Sequence, residues 1–174
     1  MDIKEKIHSL SEDLLKNIER LVVINSQLGT PAEGMPFGPG PAKALDEALS
    51  IARELGFKTV NLDHYCGYAE MGEGADIVGI AGHRDIVPAG GDWTYDPFAL
   101  TRKGDYVYGR GTTDDKGPVR EALYAMKLLR DSGIRLNKRV RLIMGCNEET
   151  GSRCMQGKLA SGVNPQDNSS ATLL

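Results

Sequence analysis

The segment Arg139-Val140-Arg141-Leu142-Ile143-Met144-Gly145-Cys146, followed at once by Asn147-Glu148-Glu149-Thr150-Gly151, decides how this chain folds. It reads as an apolar strand that delivers two adjacent glutamates to the edge of a sheet. A second buried strand, Asp76 to Ala81, likewise ends in polar residues, with His83 just past its end. Between the two lies a helix from Pro118 to Arg130, with Pro118 near its first turn and Gly133 as its cap. The apolar stripe of that helix includes Ala122, Leu123, Met126 and Leu129. Toward the amino terminus, Ile3, Ile7, Leu10, Leu14, Ile18, Leu21 and Val22 recur at helical steps and predict an amphipathic helix to about Ile24. Residues 29–40 read as a loop, Pro41 to Leu55 as a second helix, and Phe57 to Leu62 and Tyr65 to Met71 as strands. Tyr106 to Tyr108 is a brief extended piece. Strands alternating with helices give an α/β fold, a mixed or mostly parallel sheet flanked by helices. In such sheets ligands sit beyond the carboxyl ends of strands, which points to the residues after Ala81 and after Cys146.

Composition narrows the function. The 174 residues are enough for one domain with a real core, and 40% of them are hydrophobic. A net charge of -3 provides no basic field for phosphates, so nucleic acid is not an expected partner. Cys66, Cys146 and Cys154 are odd in number and lack zinc-knuckle spacing, which predicts free thiols in a reducing cytosol. No apolar run approaches the roughly 20 residues that span a bilayer. The amino terminus is charged and amphipathic, unlike a secretion signal. A cytoplasmic protein without a membrane partner is the expectation. From residue 157 to residue 174 the chain turns polar and is expected to be a disordered tail.

Three pairs of residues can carry chemistry. His83 and Asp85 fall on one face of an extended backbone, and a metal-binding imidazole usually gives its second N–H to a carboxylate or carbonyl. A lone histidine there would more often be structural. Asp114 and Asp115 follow Gly109-Arg110-Gly111-Thr112-Thr113 and precede a helix, so they could be ordinary caps. They could also supply a carboxylate that bridges two metal ions. Glu148 and Glu149 could be surface residues beside a turn. Equally, they diverge in direction, so that one can bind metal while the other acts as a base. Each pair alone is ordinary; three of them, each beyond a strand, are hard to explain as surface decoration. Neither phosphate-cradling glycine motif is present, so a nucleotide-binding domain ranks last.

With these residues in view, the chain resembles the co-catalytic zinc metallopeptidases that include acetylornithine deacetylase, succinyl-diaminopimelate desuccinylase, carboxypeptidase G and the carnosinase-type dipeptidases. The resemblance rests on Gly82-His83-Arg84-Asp85-Ile86-Val87-Pro88, on Gly109 to Pro118 and on Glu148-Glu149-Thr150-Gly151-Ser152. Asp114-Asp115-Lys116-Gly117-Pro118, the stretch from Trp93 to Phe98 and Gly151 to Met155 resemble the bacterial aminoacyl-histidine dipeptidase branch. The resemblance implies two divalent metal ions, zinc by family habit, although manganese and cobalt accept the same ligands. It implies His83, Asp114 and Glu149 as metal ligands, Asp114 as the bridge, Asp85 as the residue that orients His83, and Glu148 as general base. It also implies a cis peptide between Asp114 and Asp115, an Arg84 that faces away from the metals, and a small peptide or N-acyl amino acid as substrate. Residues 1–156 would be part of a metallopeptidase catalytic domain, its amino-terminal portion, without the lid domain. The family's later acidic ligand and histidine have no match here, since His8, His64 and His83 are the only histidines. Asp167 does not fit the motif. A missing carboxyl-terminal segment or a partner chain is therefore expected to complete the site, and the sheet is expected to expose an apolar edge. The alternative is a non-catalytic fragment that binds metal weakly or packs on a partner.

Overall fold

The computed structural model describes residues 2–155 and the backbone of residues 171–173. Three helices form where apolar residues recur at helical spacing: α1 (Ile3–Val22), α2 (Pro39–Glu54) and α3 (Lys116–Asp131). Helices α2 and α3 end on a local signal. Gly56 and Gly133 take left-handed backbone just after α2 and α3, where a side chain would be strained. The strands are β1 (Lys58–Leu62), β2 (Cys66–Met71), β3 (Ile77–His83), β4 (Thr101–Lys103), β5 (Tyr106–Tyr108), β6 (Arg139–Gly145) and β7 (Ala171–Leu173).

Five of the strands make one mixed sheet in the order β1-β2-β6-β3-β7. The β1-β2 and β2-β6 pairs are antiparallel, while β6-β3 and β3-β7 are parallel. Strands β4 and β5 form a separate hairpin. Because strand side chains alternate, Ala69 and Met71 of β2 share a face with Leu142 and Met144 of β6. On that face lie Leu45, Ala48, Leu49, Ile51 and Ala52 of α2 and Val119, Leu123 and Met126 of α3, in one buried cluster with Leu21 of α1. Helix α1 packs against both α2 and α3. The other face carries Arg141, which lies over the Tyr68 ring at 4.0 Å and pairs with Glu70 at 2.6 Å.

The α/β class and the mixed sheet agree with the sequence expectation, with differences in detail. Strand β3 runs through His83 rather than stopping at Ala81, because its register with β6 continues to the pairing of His83 with Gly145. Leu129 is 39% exposed and leaves the apolar stripe of α3. Most of the expected disordered tail, residues 157–170, lies outside the described residues. Residues Ala171–Leu173, however, are a strand that pairs with Ile77 to Gly79, where the free backbone of β3 offers donors and acceptors that outweigh local polarity. That pairing covers only half of β3; Ile80 to His83 have no strand on that side among the described residues.

Helix α3 approaches β3 so closely that a methyl group at Gly82 would lie 2.3 Å from both Asp115 Oδ2 and Val119 Cγ2. Gly82→Ala is therefore expected to cost about 1–3 kcal/mol in urea unfolding. An unchanged midpoint would mean that the helix is free to move off the strand.

Candidate metal centre

Strands β3 and β6 are parallel neighbours and end together, so the residues that follow them leave the sheet side by side. The N–H of Arg84 donates to the carbonyl of Gly145 at 2.7 Å and carries the pairing one step further. His83 closes β3 and is nearly buried. Its Nδ1 lies 3.0 Å from the carbonyl oxygen of Asp85 and 3.3 Å from Asp85 Oδ1. A carbonyl can only accept, so Nδ1 carries the proton and Nε2 is left to face outward. There it lies 3.1 Å from Asp114 Oδ1 and 3.8 Å from Glu148 Oε2.

Asp85 is 2% exposed and does more than orient the imidazole. Its Oδ1 accepts the N–H of Glu148 at 3.0 Å and its Oδ2 accepts the N–H of Glu149 at 3.0 Å. The glutamate pair is thus hung from Asp85 by its backbone, leaving both side chains free. The turn is closed from behind by buried Asn147, whose carbonyl accepts from Ser152 N at 2.8 Å and whose Oδ1 accepts from Arg153 N at 3.2 Å.

The second segment enters from α3. The peptide between Asp114 and Asp115 is cis. Asp115 makes no side-chain cap on α3. Its Oδ2 instead accepts the N–H of His83 at 3.0 Å, which ties the start of α3 to the end of β3. The cap reading of Asp115 fails because that strand N–H, which has no strand partner among the described residues, competes for the carboxylate. Arg84 is fully buried, and its guanidinium donates to the carbonyls of Lys116 and Asp115 at 3.4 Å each, behind the turn. Lys116 is buried as well, and its Nζ donates to the carbonyls of Leu21 and Ile24 at the end of α1, at 2.8 and 2.7 Å.

The result is that one donor atom each from His83, Asp114 and Glu149 lies within 4.8 Å of the other two. Glu148 stands beside this cluster with its side chain 53% exposed. Asp85 lies behind it. A cavity of about 360 Å³ opens here, lined in part by His83, Asp114, Asp115, Glu148, Cys154 and Met155. The charges respond to one another. Burial pushes the His83 pKa down, but the hydrogen bond and charge of Asp85, joined by Asp114, win and hold it up at about 9. Burial, then the negative charge of Asp114, raises the Glu149 pKa. Burial raises the Cys154 thiol too, which keeps it protonated at neutral pH. One imidazole nitrogen and two carboxylates that repel each other form a donor set suited to divalent metal.

Of the residues singled out from sequence, His83, Asp85, Asp114, Glu148 and Glu149 are all brought together. The structure adds Asp115, Arg84, Lys116 and Cys154. Asp115 carries a sequence signal as half of an aspartate pair, and Arg84 as a side chain expected to face away from the site, where its contacts behind the turn lie; Lys116 and Cys154 are positioned by contacts between distant segments.

The His83 pKa lies above its ordinary 6.5, so in the metal-free protein the protonated imidazole stabilises the fold at low pH. That contribution is complete below 6.5 and is lost as pH rises through about 9. The unfolding free energy of the native chain minus that of His83→Gln is expected to fall across this window and stay level outside it. A difference that is flat from pH 6 to pH 10 would contradict the Asp85–His83–Asp114 arrangement.

Residues 79–171 match the model of peptidase family M20/M25/M40. The chain is 42% identical over 147 residues to the putative dipeptidase YtjP of Bacillus subtilis, covering 83% of this chain and 32% of that protein. It thus spans about a third of the length of the curated relatives it matches. Human carnosine dipeptidase 1 superposes with a TM-score of 0.75 at 25% identity, covering 92% of this chain and 36% of that one. The M20 family metallo-carboxypeptidase Sso-CP2 of Sulfolobus solfataricus gives 0.66 at 28% identity, with coverage of 80% and 32%. The family match begins within β3, takes in the segments His83–Asp85, Asp114–Asp115 and Glu148–Glu149, and extends over more than half of the sequence: the chain belongs to peptidase family M20/M25/M40.

Proposed function

We propose that this chain carries the metal-binding core of a dipeptidase-type hydrolase, which cleaves the amide bond of a dipeptide or N-acyl amino acid. The observation that carries the proposal is the convergence of His83, Asp114 and Glu149 within 4.8 Å of one another, above a buried carboxylate that holds two of the three segments. The names of the relatives, dipeptidases and a carboxypeptidase, support peptide substrates.

On this reading His83 and Asp114 would hold one divalent ion, and Asp114 and Glu149 would hold a second. Zinc suits these donors, and manganese and cobalt accept them too. When bound, such a pair supplies Lewis-acid polarisation of the amide carbonyl and an acidified water. The protein supplies the rest. Asp85 keeps the His83 proton on Nδ1, so that Nε2 presents its lone pair outward. Asp85 also fixes the backbone of Glu148, whose exposed carboxylate beside Nε2 is free to take a proton from the attacking water and return it to the leaving amine. Residues 1–156 are then part of a catalytic domain. Three ligands shared between two ions give each ion two, whereas a catalytic zinc takes three protein ligands. The third for each comes from outside the described residues, from a further segment or a partner chain.

Calorimetric titration of the full chain with zinc tests the proposal. Binding is expected, with loss of at least about tenfold in affinity for Asp114→Ala, and little change for Glu148→Gln, which spares the ligands. Affinity is expected to rise with pH up to about 9, where His83 gives up its proton unaided, and to level off above. Binding indifferent to Asp114 would overturn the metal assignment and leave a non-catalytic fragment as the reading.

A further inference from the structure

Asp114 is the ligand that both ions would share, yet its side chain is 73% exposed. Among the described residues its carboxylate has only His83 within hydrogen-bonding distance, with Oδ1 3.1 Å from Nε2. The place of Asp114 is therefore set by its backbone.

That backbone is a closed turn. The N–H of Gly117 donates to the carbonyl of Gly111 at 3.2 Å, which makes a ring of residues 111–117 with Asp114 at its middle. The ring is tight: a methyl group at Gly117 would lie 2.0 Å from the Thr112 carbonyl oxygen. Gly111 takes left-handed backbone at φ +87°, and a methyl group there would lie 3.0 Å from Cδ and 3.2 Å from Cγ of Lys116. The apolar stem of Lys116 thus lies directly against Gly111, across the ring to which both belong. Beyond Gly111 the side chain reaches α1, where Nζ donates to the carbonyls of Leu21 and Ile24 at 2.8 and 2.7 Å. Carbonyls at the end of a helix have no helical partner to accept from. Leu21 and Ile24 are buried, so this anchor belongs to the core.

Packing alone does not call for a lysine here. An ammonium is costly to withdraw from water, and a methionine would fill the same stem volume without that cost. What the ammonium adds is direction, because two hydrogen bonds fix the far end of a side chain that starts two residues from Asp114. We propose that Lys116 is the positioning residue of Asp114: it clamps the ring of residues 111–117 to the end of α1 and so holds the Asp114 carboxylate beside His83. The proposal rests on the reading of Asp114 as a shared metal ligand and adds the group that keeps it in place.

Lys116→Met in the full chain removes both hydrogen bonds and keeps the length of the stem. Gly117 is the second residue of α3, so its N–H has no helical partner and reports on closure of the ring. In the metal-free variant, hydrogen exchange at that amide, followed by NMR, is expected to speed up at least about tenfold, while the amide of Leu142 within β6 keeps its rate. In calorimetric titration Lys116→Met is expected to weaken zinc about tenfold, the usual effect of losing the partner that orients a ligand. Added to Asp114→Ala it is expected to cost no further affinity, because the ligand it positions is already gone. Gly111→Ala presses on the same stem from the other side and is expected to give the same pattern, which keeps the test open should Lys116→Met not fold. Zinc affinity unchanged by Lys116→Met while Asp114→Ala weakens it would overturn the proposal. So would equal losses from Lys116→Met with and without Asp114, or unchanged exchange at Gly117. Zinc binding indifferent to Asp114 would instead overturn the metal reading, and the exchange at Gly117, read without metal, is decided separately.

Discussion

The site depends on one buried carboxylate. Asp85 takes the N–H groups of Glu148 and Glu149 on its two oxygens and lies against Nδ1 of His83. Withdrawing a carboxylate from water is costly unless charge-assisted hydrogen bonds compensate it. Here the compensation is structural: each bond that makes Asp85 tolerable also locates a functional residue. The imidazole gains its tautomer, and the glutamate turn gains its height above the sheet. Because the parallel pair β3-β6 ends in register, those partners are already neighbours before any side chain acts.

A second constraint lies beneath the first. Arg84, Lys116 and Arg120 are basic side chains that are fully buried. Burial lowers all three, Lys116 to about 7 and Arg84 to about 10, while the negative charge of Asp115 supports Arg84. Arg84 and Lys116 spend their donors on backbone carbonyls of the Asp115–Lys116 turn and of the end of α1. They therefore act as internal caps that hold α1, α3 and β3 in register, and Asp115 completes the tie through the N–H of His83. Asp114, by contrast, has a side chain that is 73% exposed and free to meet a cation. Asp115 is tied to the fold, and the exposed Asp114 side chain joins the cluster with His83 and Glu149.

Much of this was legible in the sequence. Apolar periodicity located α1, α2 and α3, and the short apolar runs located β2, β3 and β6, because burial of one face is what those patterns encode. His83 and Glu149 stood out as polar residues just beyond such runs, and Asp114 as one of an aspartate pair after the glycine-containing stretch Gly109 to Thr113. What was not legible depends on contacts between distant segments. Nothing local distinguishes Asp115 as a partner of the His83 backbone from Asp115 as a helix cap. Nothing local says that Lys116 reaches the carbonyls of Leu21 and Ile24, some 92 to 95 positions away. The end of β3 was placed two residues early because Gly82 and His83 carry no strand propensity; their strand conformation is imposed by pairing with β6. Strand β4 was missed for the same reason, since Thr101-Arg102-Lys103 is extended only against β5.

The central claim is that a metal entering this cluster meets one imidazole and carboxylate oxygens. X-ray absorption at the zinc edge of the loaded chain tests it most directly. A first shell of nitrogen and oxygen at about 2.0–2.2 Å with the outer-shell pattern of one imidazole is expected. Cys154 lines the same cavity, and a sulfur shell at about 2.3 Å, or a spectrum without imidazole, would contradict it.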